Sequence, residues 1–405
     1  MTPSVPMRNA ITFSPMPNPA RRSLREIGWI ADLAVVAAIL FGVMVILQPS
    51  WVGLEVIEAS AAATGGHTTT SGPWFLFPLI LLTILLCAFR ASRHAERFAH
   101  LLREPFGVLI LTLSAVTIEV ALVIGVMLTG PQQDDVARNA MFAVLMMIMN
   151  GLVGIALVAG GLRKREQTFN VQSTNAFLAL ITGISFIGLV MPRLTVSRPG
   201  GYMTEQMELF VAGASLGVYF AFLVLQSSSH TQMFTHRADG DEMTATVEAT
   251  DRSSKSGAIW NAVGWLVAAL LGVVLLSHSL GGLLSTFFAR RYLPGAFEGV
   301  VIALLVLLPE GIAAVRAALR SNVQRTVNIL HGSALSTIGL TIPAILAVSL
   351  VIKRPVELGL SSPEIGLLAA TIILSMLNVS LGKSNLMQGI THLMLFAMWI
   401  ALLLD

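Results

Sequence analysis

Residues Ala296 to Leu319 read AFEGVVIALLVLLPEGIAAVRAAL, an apolar stretch broken near its middle by Pro309 and Glu310. About 20 apolar residues in helical form cross a hydrocarbon core of ~30 Å, so the stretch reads as a transmembrane helix. A charged carboxylate at the centre of such a helix costs about 2.5–3.5 kcal/mol even on the lenient insertion scale, which points to an acid that faces a polar cavity and works there. An earlier run, Phe106 to Leu128, carries Glu119 in the same manner, within Thr117-Ile118-Glu119-Val120. Of the 22 acidic residues, only these two fall near the middle of an apolar run.

The rest of the chain agrees with a bilayer setting. Of its 405 residues 55% are hydrophobic, 34 are glycine and only 12% are charged, where a soluble chain carries about 25% charge. The net charge is +3 and the basic residues lie between apolar runs rather than in one patch, which argues against a nucleic-acid partner. The single cysteine, Cys87, excludes an intrachain disulfide or a CxxC pair. Eleven runs qualify as spans: Trp29 to Leu47, Trp74 to Phe89, Phe106 to Leu128, Ala140 to Leu162, Ala176 to Met191, Met207 to Leu225, Ala258 to Ser277, Ala296 to Leu319, Val327 to Ile352, Ile365 to Leu381 and Leu386 to Leu404. They are continuous rather than alternating, which favours helices over barrel strands. The expected fold is an all-α polytopic membrane protein of about eleven transmembrane helices.

Counting Lys and Arg in alternate loops gives 18 on the side of the amino tail and 7 on the other. The positive-inside rule therefore places the amino tail in the cytoplasm. Ala59-Ser60-Ala61 resembles a signal cleavage site, but Glu55 and Glu58 and the long amino tail weigh against a cleaved leader. The expected organisation is a cytoplasmic tail (1–28), a leading helix and outer loop (29–73), a five-helix repeat (74–225), an acidic linker (226–257) and a second five-helix repeat (258–405). Five crossings in each half make the two halves enter the membrane from opposite sides, as inverted repeats require. Glu119 and Glu310 each sit on the second helix of their half, so their carboxyl groups are expected at one depth, facing each other.

Polar and small groups follow each glutamate. Asn150-Gly151 and Gly154 lie on the next helix of the first half; His331-Gly332-Ser333 with Ser336, Thr337 and Thr341 lie on that of the second. Ser114 and Thr117 add hydroxyls beside Glu119, and Pro309 removes a helical donor, which tends to free the carbonyl of Leu305. Small residues let helices approach, and such oxygens suit the shell of a hard cation. Asn378, Lys383, Asn385, Gln388 and His392, around the last turn, read chiefly as a solvated turn with its anchors. The linker acids Asp239, Asp241 and Glu242 form a candidate regulatory loop, without the Asp-x-Asp-x-Asp-Gly spacing of a calcium loop.

Leu308-Pro309-Glu310-Gly311-Ile312-Ala313-Ala314, followed by Gly332-Ser333-Ala334-Leu335-Ser336-Thr337-Ile338-Gly339-Leu340-Thr341-Ile342-Pro343, resembles the second signature of the Cha-type proton antiporters in the calcium/cation antiporter superfamily. Thr117-Ile118-Glu119-Val120 with Met149-Asn150-Gly151-Leu152-Val153-Gly154 resembles the first. The resemblance implies a bacterial inner-membrane exchanger in which Glu119 and Glu310 bind the cation and exchange protons, with Asn150-Gly151 and Gly332-Ser333 as neighbouring turns. Calcium is the favoured cation, with sodium or potassium as alternatives. The expected partners are bilayer lipid, inorganic cations and protons, with no cofactor.

Two other classes are weighed. An intramembrane hydrolase would need a mid-helix Asp in Gly-x-Gly-Asp or a His-Glu-x-x-His pair, and neither is present. A passive cation channel would leave the five-plus-five arrangement unexplained. No Gly-x-x-x-x-Gly-Lys-Ser/Thr loop supports ATP-driven pumping.

Overall fold

The computed structural model describes residues 19–47, 55–58, 68–71, 75–102, 106–129, 134–163, 167–227, 252–290, 294–380 and 382–405. Eleven helices follow one another: α1 (Pro19–Leu47), α2 (Leu76–Leu101), α3 (Phe106–Thr129), α4 (Val136–Arg163), α5 (Val171–Leu194), α6 (Glu205–Ser227), α7 (Arg252–Arg290), α8 (Ala296–Leu319), α9 (Val323–Ile352), α10 (Ser362–Ser380) and α11 (Leu386–Leu402). Among the described residues ten of these are long and apolar enough to cross a membrane, and α11 is a shorter apolar helix. The chain is an all-α polytopic membrane protein. Its only strands among the described residues are short antiparallel pairs: β1 (Glu55–Glu58) with β2 (Thr68–Ser71), and β3 (Gln167–Thr168) with β4 (Lys383–Ser384). The second pair ties the α4/α5 connection to the α10/α11 turn. The linker acids Asp239, Asp241 and Glu242 lie outside the described residues.

Several helices run past the apolar stretches that announce them. The expected span Trp74 to Phe89 becomes the 26-residue α2, extending through Arg90, Arg93 and Arg97. Its continuation is explained by pairing rather than hydropathy: Arg90 and His94 are buried, the Arg90 guanidinium donates to Asp32 Oδ1 of α1, and His94 Nε2 lies 2.9 Å from the same oxygen. Arg90 is thus a helix residue clamping the leading helix, not a loop residue. The run Ala258 to Ser277 becomes the 39-residue α7. α5 starts at Val171, ahead of its apolar run, because the Asn170 side chain accepts from the amides of Gln172 and Ser173 and caps it. Asn385 and Gln388 close a capping box on α11 (3.0 and 3.1 Å), in keeping with their reading as turn anchors.

Glycines set the closest crossings. A Cβ on Gly125 of α3 would lie 2.6 Å from the Ser277 carbonyl oxygen of α7, and one on Gly299 of α8 would lie 2.6 Å from the Asn139 carbonyl of α4. α8 is therefore held in backbone contact with α4, which fixes the helix that carries Glu310.

At the end of the bundle where α4 begins, three connections are laced together. Arg138 donates to Asp135 (2.9 Å) and to Glu357, Tyr202 donates to Asp134 (3.0 Å), and the Glu357 amide donates to the Asp134 carbonyl (2.9 Å). Arg354 lies 3.8 Å from Asp134. Burial pushes the Glu357 carboxyl above its usual range, outweighing the opposing pull of Arg138 and Arg193, while Asp135 adds to the rise. Glu357 therefore takes up its proton at a higher pH than an ordinary glutamate, so the Arg138 ion pair is present above that raised pKa and is lost as pH falls through it. With Cys87→Ser removing the native thiol, maleimide labelling of Val356→Cys, a buried position beside the pair, is expected to rise on mild acidification. Arg138→Gln should remove the pH step, and labelling that ignores pH would refute the assignment.

Candidate cation and proton site

Glu119 and Glu310 occupy near-equivalent places: they are the fourteenth and fifteenth residues of the 24-residue helices α3 and α8 respectively. Helices of odd and even order run antiparallel when every helix crosses. The two carboxyl groups are then offset along the membrane normal by about four residues, or ~6 Å at 1.5 Å per residue.

Both reach α9. Ser333 Oγ donates to Glu310 Oε2, while Thr337 Oγ1 and Thr341 Oγ1 donate to Glu119 Oε2 at 3.1 and 3.0 Å. Ser333 and Thr337 are one helical turn apart, ~6 Å, so one face of α9 holds the two carboxyl groups on successive turns. The first-half acid is thereby bound by hydroxyls of the second half.

The local backbone favours this. Thr337–Thr341 forms a π turn, as do Met147–Leu152 in α4 and Phe186–Val190 in α5; such widened turns concentrate at functional positions. A threonine inside a helix commonly bonds back to the carbonyl four residues earlier. Thr117, Thr182 and Thr371 do so, whereas Thr337 and Thr341 direct their hydroxyls across to Glu119. Glu119 is 1% exposed, and its Oε1 has no hydrogen-bond partner. With Oε2 accepting from two hydroxyls, Oε1 is the atom left to carry a proton or to meet a cation. Glu310, Gly332 and Ser333 are partly exposed, in contrast to the sealed Glu119, Thr337 and Thr341. A Cβ on Gly332 would meet only the Phe177 ring, at 3.9 Å, so the turn beside Ser333 is not crowded.

The other expected site residues are placed differently. Ser114 donates to the Ile110 carbonyl (2.5 Å) and Thr117 to the Leu113 carbonyl (2.7 Å), each on its own helix. Asn150 is fully buried in the α4 π turn, but its carboxamide bonds to Thr371 (2.8 Å), His392 (3.1 Å) and Met146 Sδ (3.5 Å) instead of either glutamate. Ser333 donates to Glu310, and Gly332 is its neighbour in the chain. Sequence reasoning noted Thr337 and Thr341 as polar groups without assigning them to Glu119. Their four-residue spacing, which puts both on one helix face, was the available signal. Nothing in the sequence joined Thr371 to Asn150, because that contact spans separate helices.

Comparison with known proteins gives the family and the fold. The model of the family described as sodium/calcium exchanger protein matches residues 72–228 and 261–404. The chain is 33% identical over 322 residues to the sodium-potassium/proton antiporter ChaA of Escherichia coli (strain K12), covering 80% of this chain and 87% of that protein. It is 34% identical over 316 residues to the putative ionic transporter y4hA of Sinorhizobium fredii, covering 78% and 84% respectively. Its fold is similar to that of native YfkE, with a TM-score of 0.63 at 17% identity over 92% of this chain and 98% of that one. It is also similar to an H+/Ca2+ exchanger, CAX, with a TM-score of 0.61 at 15% identity over 91% and 87%. These relatives are named as antiporters, exchangers or transporters and none as an enzyme. With both halves matched by the family model and about a third of residues shared along most of the chain, the protein belongs to the sodium/calcium exchanger protein family.

Proposed function

We propose that the protein is a secondary antiporter that exchanges a cation for protons at a site built on Glu119 and Glu310. The carrying observation is the pair of carboxyl groups on successive turns of α9, one of them buried with an unpartnered oxygen. Two carboxylates left charged and ion-free in the membrane interior would be too costly to carry across. Protons or a cation must then occupy the site at each crossing, and that requirement couples the two fluxes. Two carboxylates with three hydroxyls suit calcium; similarity to a sodium-potassium/proton antiporter makes sodium and potassium the alternatives. The unequal burial of Glu119 and Glu310 suits a site open toward one side. The halves 74–225 and 258–405 act as inverted repeats, in an inner membrane with the amino tail cytoplasmic.

Everted membrane vesicles carrying a pH-reporting dye test the reading. Calcium, sodium or potassium added to energised vesicles should release protons in proportion to the protein present. Ion current without proton movement, or cleavage of a reporter helix, would favour the channel or the hydrolase instead. In the same assay Thr337→Val with Thr341→Val should raise the half-saturating cation concentration about tenfold, since a hydrogen bond to a charged group contributes about 1.5–3 kcal/mol. An unchanged half-saturation would remove these hydroxyls from the site.

A further inference from the structure

His392 is buried in α11, 2% exposed, and both of its ring nitrogens are engaged: Nδ1 at 3.1 Å from Asn150 Oδ1 and Nε2 at 3.0 Å from Asn378 Nδ2. The direction of each bond follows from its neighbours. Thr371 donates its hydroxyl to the Leu367 carbonyl (2.8 Å), so its oxygen accepts from Asn150 Nδ2 (2.8 Å). Asn150 therefore turns its carbonyl oxygen to His392, whose Nδ1 must donate, and the bare Nε2 accepts from Asn378. One ordered chain of donors runs from Asn378 through His392 and Asn150 to Thr371, joining α10 and α11 to the π turn of α4.

That turn is also pressed between two helices. On one side a Cβ at Gly151 would lie 3.1 Å from the Phe396 ring, and one at Gly154 would lie 2.8 Å from Leu393, both on α11. On the other, Leu152 fills the space where a Cβ on Gly311 would lie, at 2.9 Å, next to Glu310 on α8. Asn150 and Leu152 sit two residues apart, on different faces of the turn, so whatever fixes the amide also fixes the leucine.

We propose that His392 is a positioning residue for the exchange reaction: through Asn150 it fixes the π turn of α4, and through Leu152 that turn holds α8 at Glu310. The inference rests on the antiport reading above. His392 touches neither glutamate, so its removal is expected to act on turnover rather than on cation binding. A bare Asn at the position keeps an N–H near the place of Nδ1 and supplies the control.

The test is cation-driven proton flux of wild type, His392→Leu and His392→Asn in everted vesicles at equal amounts of folded protein, judged by size-exclusion chromatography. His392→Leu should lower the maximal rate at least about fivefold with the half-saturating cation concentration within about twofold, and His392→Asn should regain at least about half of the loss. Equal rates for the Leu and Asn variants, or a Leu variant at the wild-type rate, would overturn the proposal. If the Leu variant does not accumulate, the near-isosteric Thr371→Val, which removes the acceptor of Asn150, replaces it with the same expected split; wild-type turnover there would overturn it. A wild-type protein without cation-driven flux would count against antiport itself, a result separable from these comparisons.

Discussion

Glu310→Gln should abolish cation-driven proton flux, by at least about a hundredfold, while the protein remains folded. Glutamine preserves the shape of the side chain and an oxygen to accept from Ser333, but it neither releases a proton nor offers a negative charge to a cation. A hundredfold loss corresponds to about 2.7 kcal/mol at 1.36 kcal/mol per decade, a modest demand for removing a charge from a low-dielectric ion site. Glu310→Asp should retain part of the activity, because the charge is kept and only its reach toward α9 shortens. Flux measured in everted vesicles at matched expression is the check, and a glutamine variant with wild-type exchange would exclude Glu310 from the site.

Gly299→Val should lower stability far more than a substitution at an uncrowded helix glycine. The first Cβ atom already falls 2.6 Å from the carbonyl group of Asn139, and the obstacle is backbone, not the end of a flexible side chain. α8 and α4 must separate, at an overpacking cost of about 1–3 kcal/mol, with the second methyl pushing toward the upper figure. Gly213→Ala on α6 is the matched control, since nothing lies within 4 Å of a Cβ there. The thermal midpoint in detergent should fall for Gly299→Val and stay near wild type for Gly213→Ala. Indistinguishable midpoints would mean that the α4/α8 contact does not limit stability.

The parts of this structure legible in the sequence are those governed by transfer from water to hydrocarbon. The apolar runs locate the helices, and the two acids that violate them mark the proposed site. Where side chains pair, the sequence is less informative: Arg90 and His94 look like loop charges until Asp32 of another helix is seen to meet them. Hydroxyls show the same limit. Ser114 and Thr117 are nearer to Glu119 in sequence than Thr337 and Thr341, yet the former bond to their own helix and the latter to the acid. Asn150 is recognisable as a buried polar residue at a special turn, but its partners on α10 and α11 depend on a packing that no local pattern encodes.

The shared site is tested most directly by counting protons released when purified protein in weakly buffered detergent is mixed with calcium, sodium or potassium. Wild type should release protons on binding at least one of these cations. Glu119→Gln and Glu310→Gln should each release measurably fewer, and the double variant none. Release that survives in the double variant would show that cation and protons meet elsewhere in the molecule.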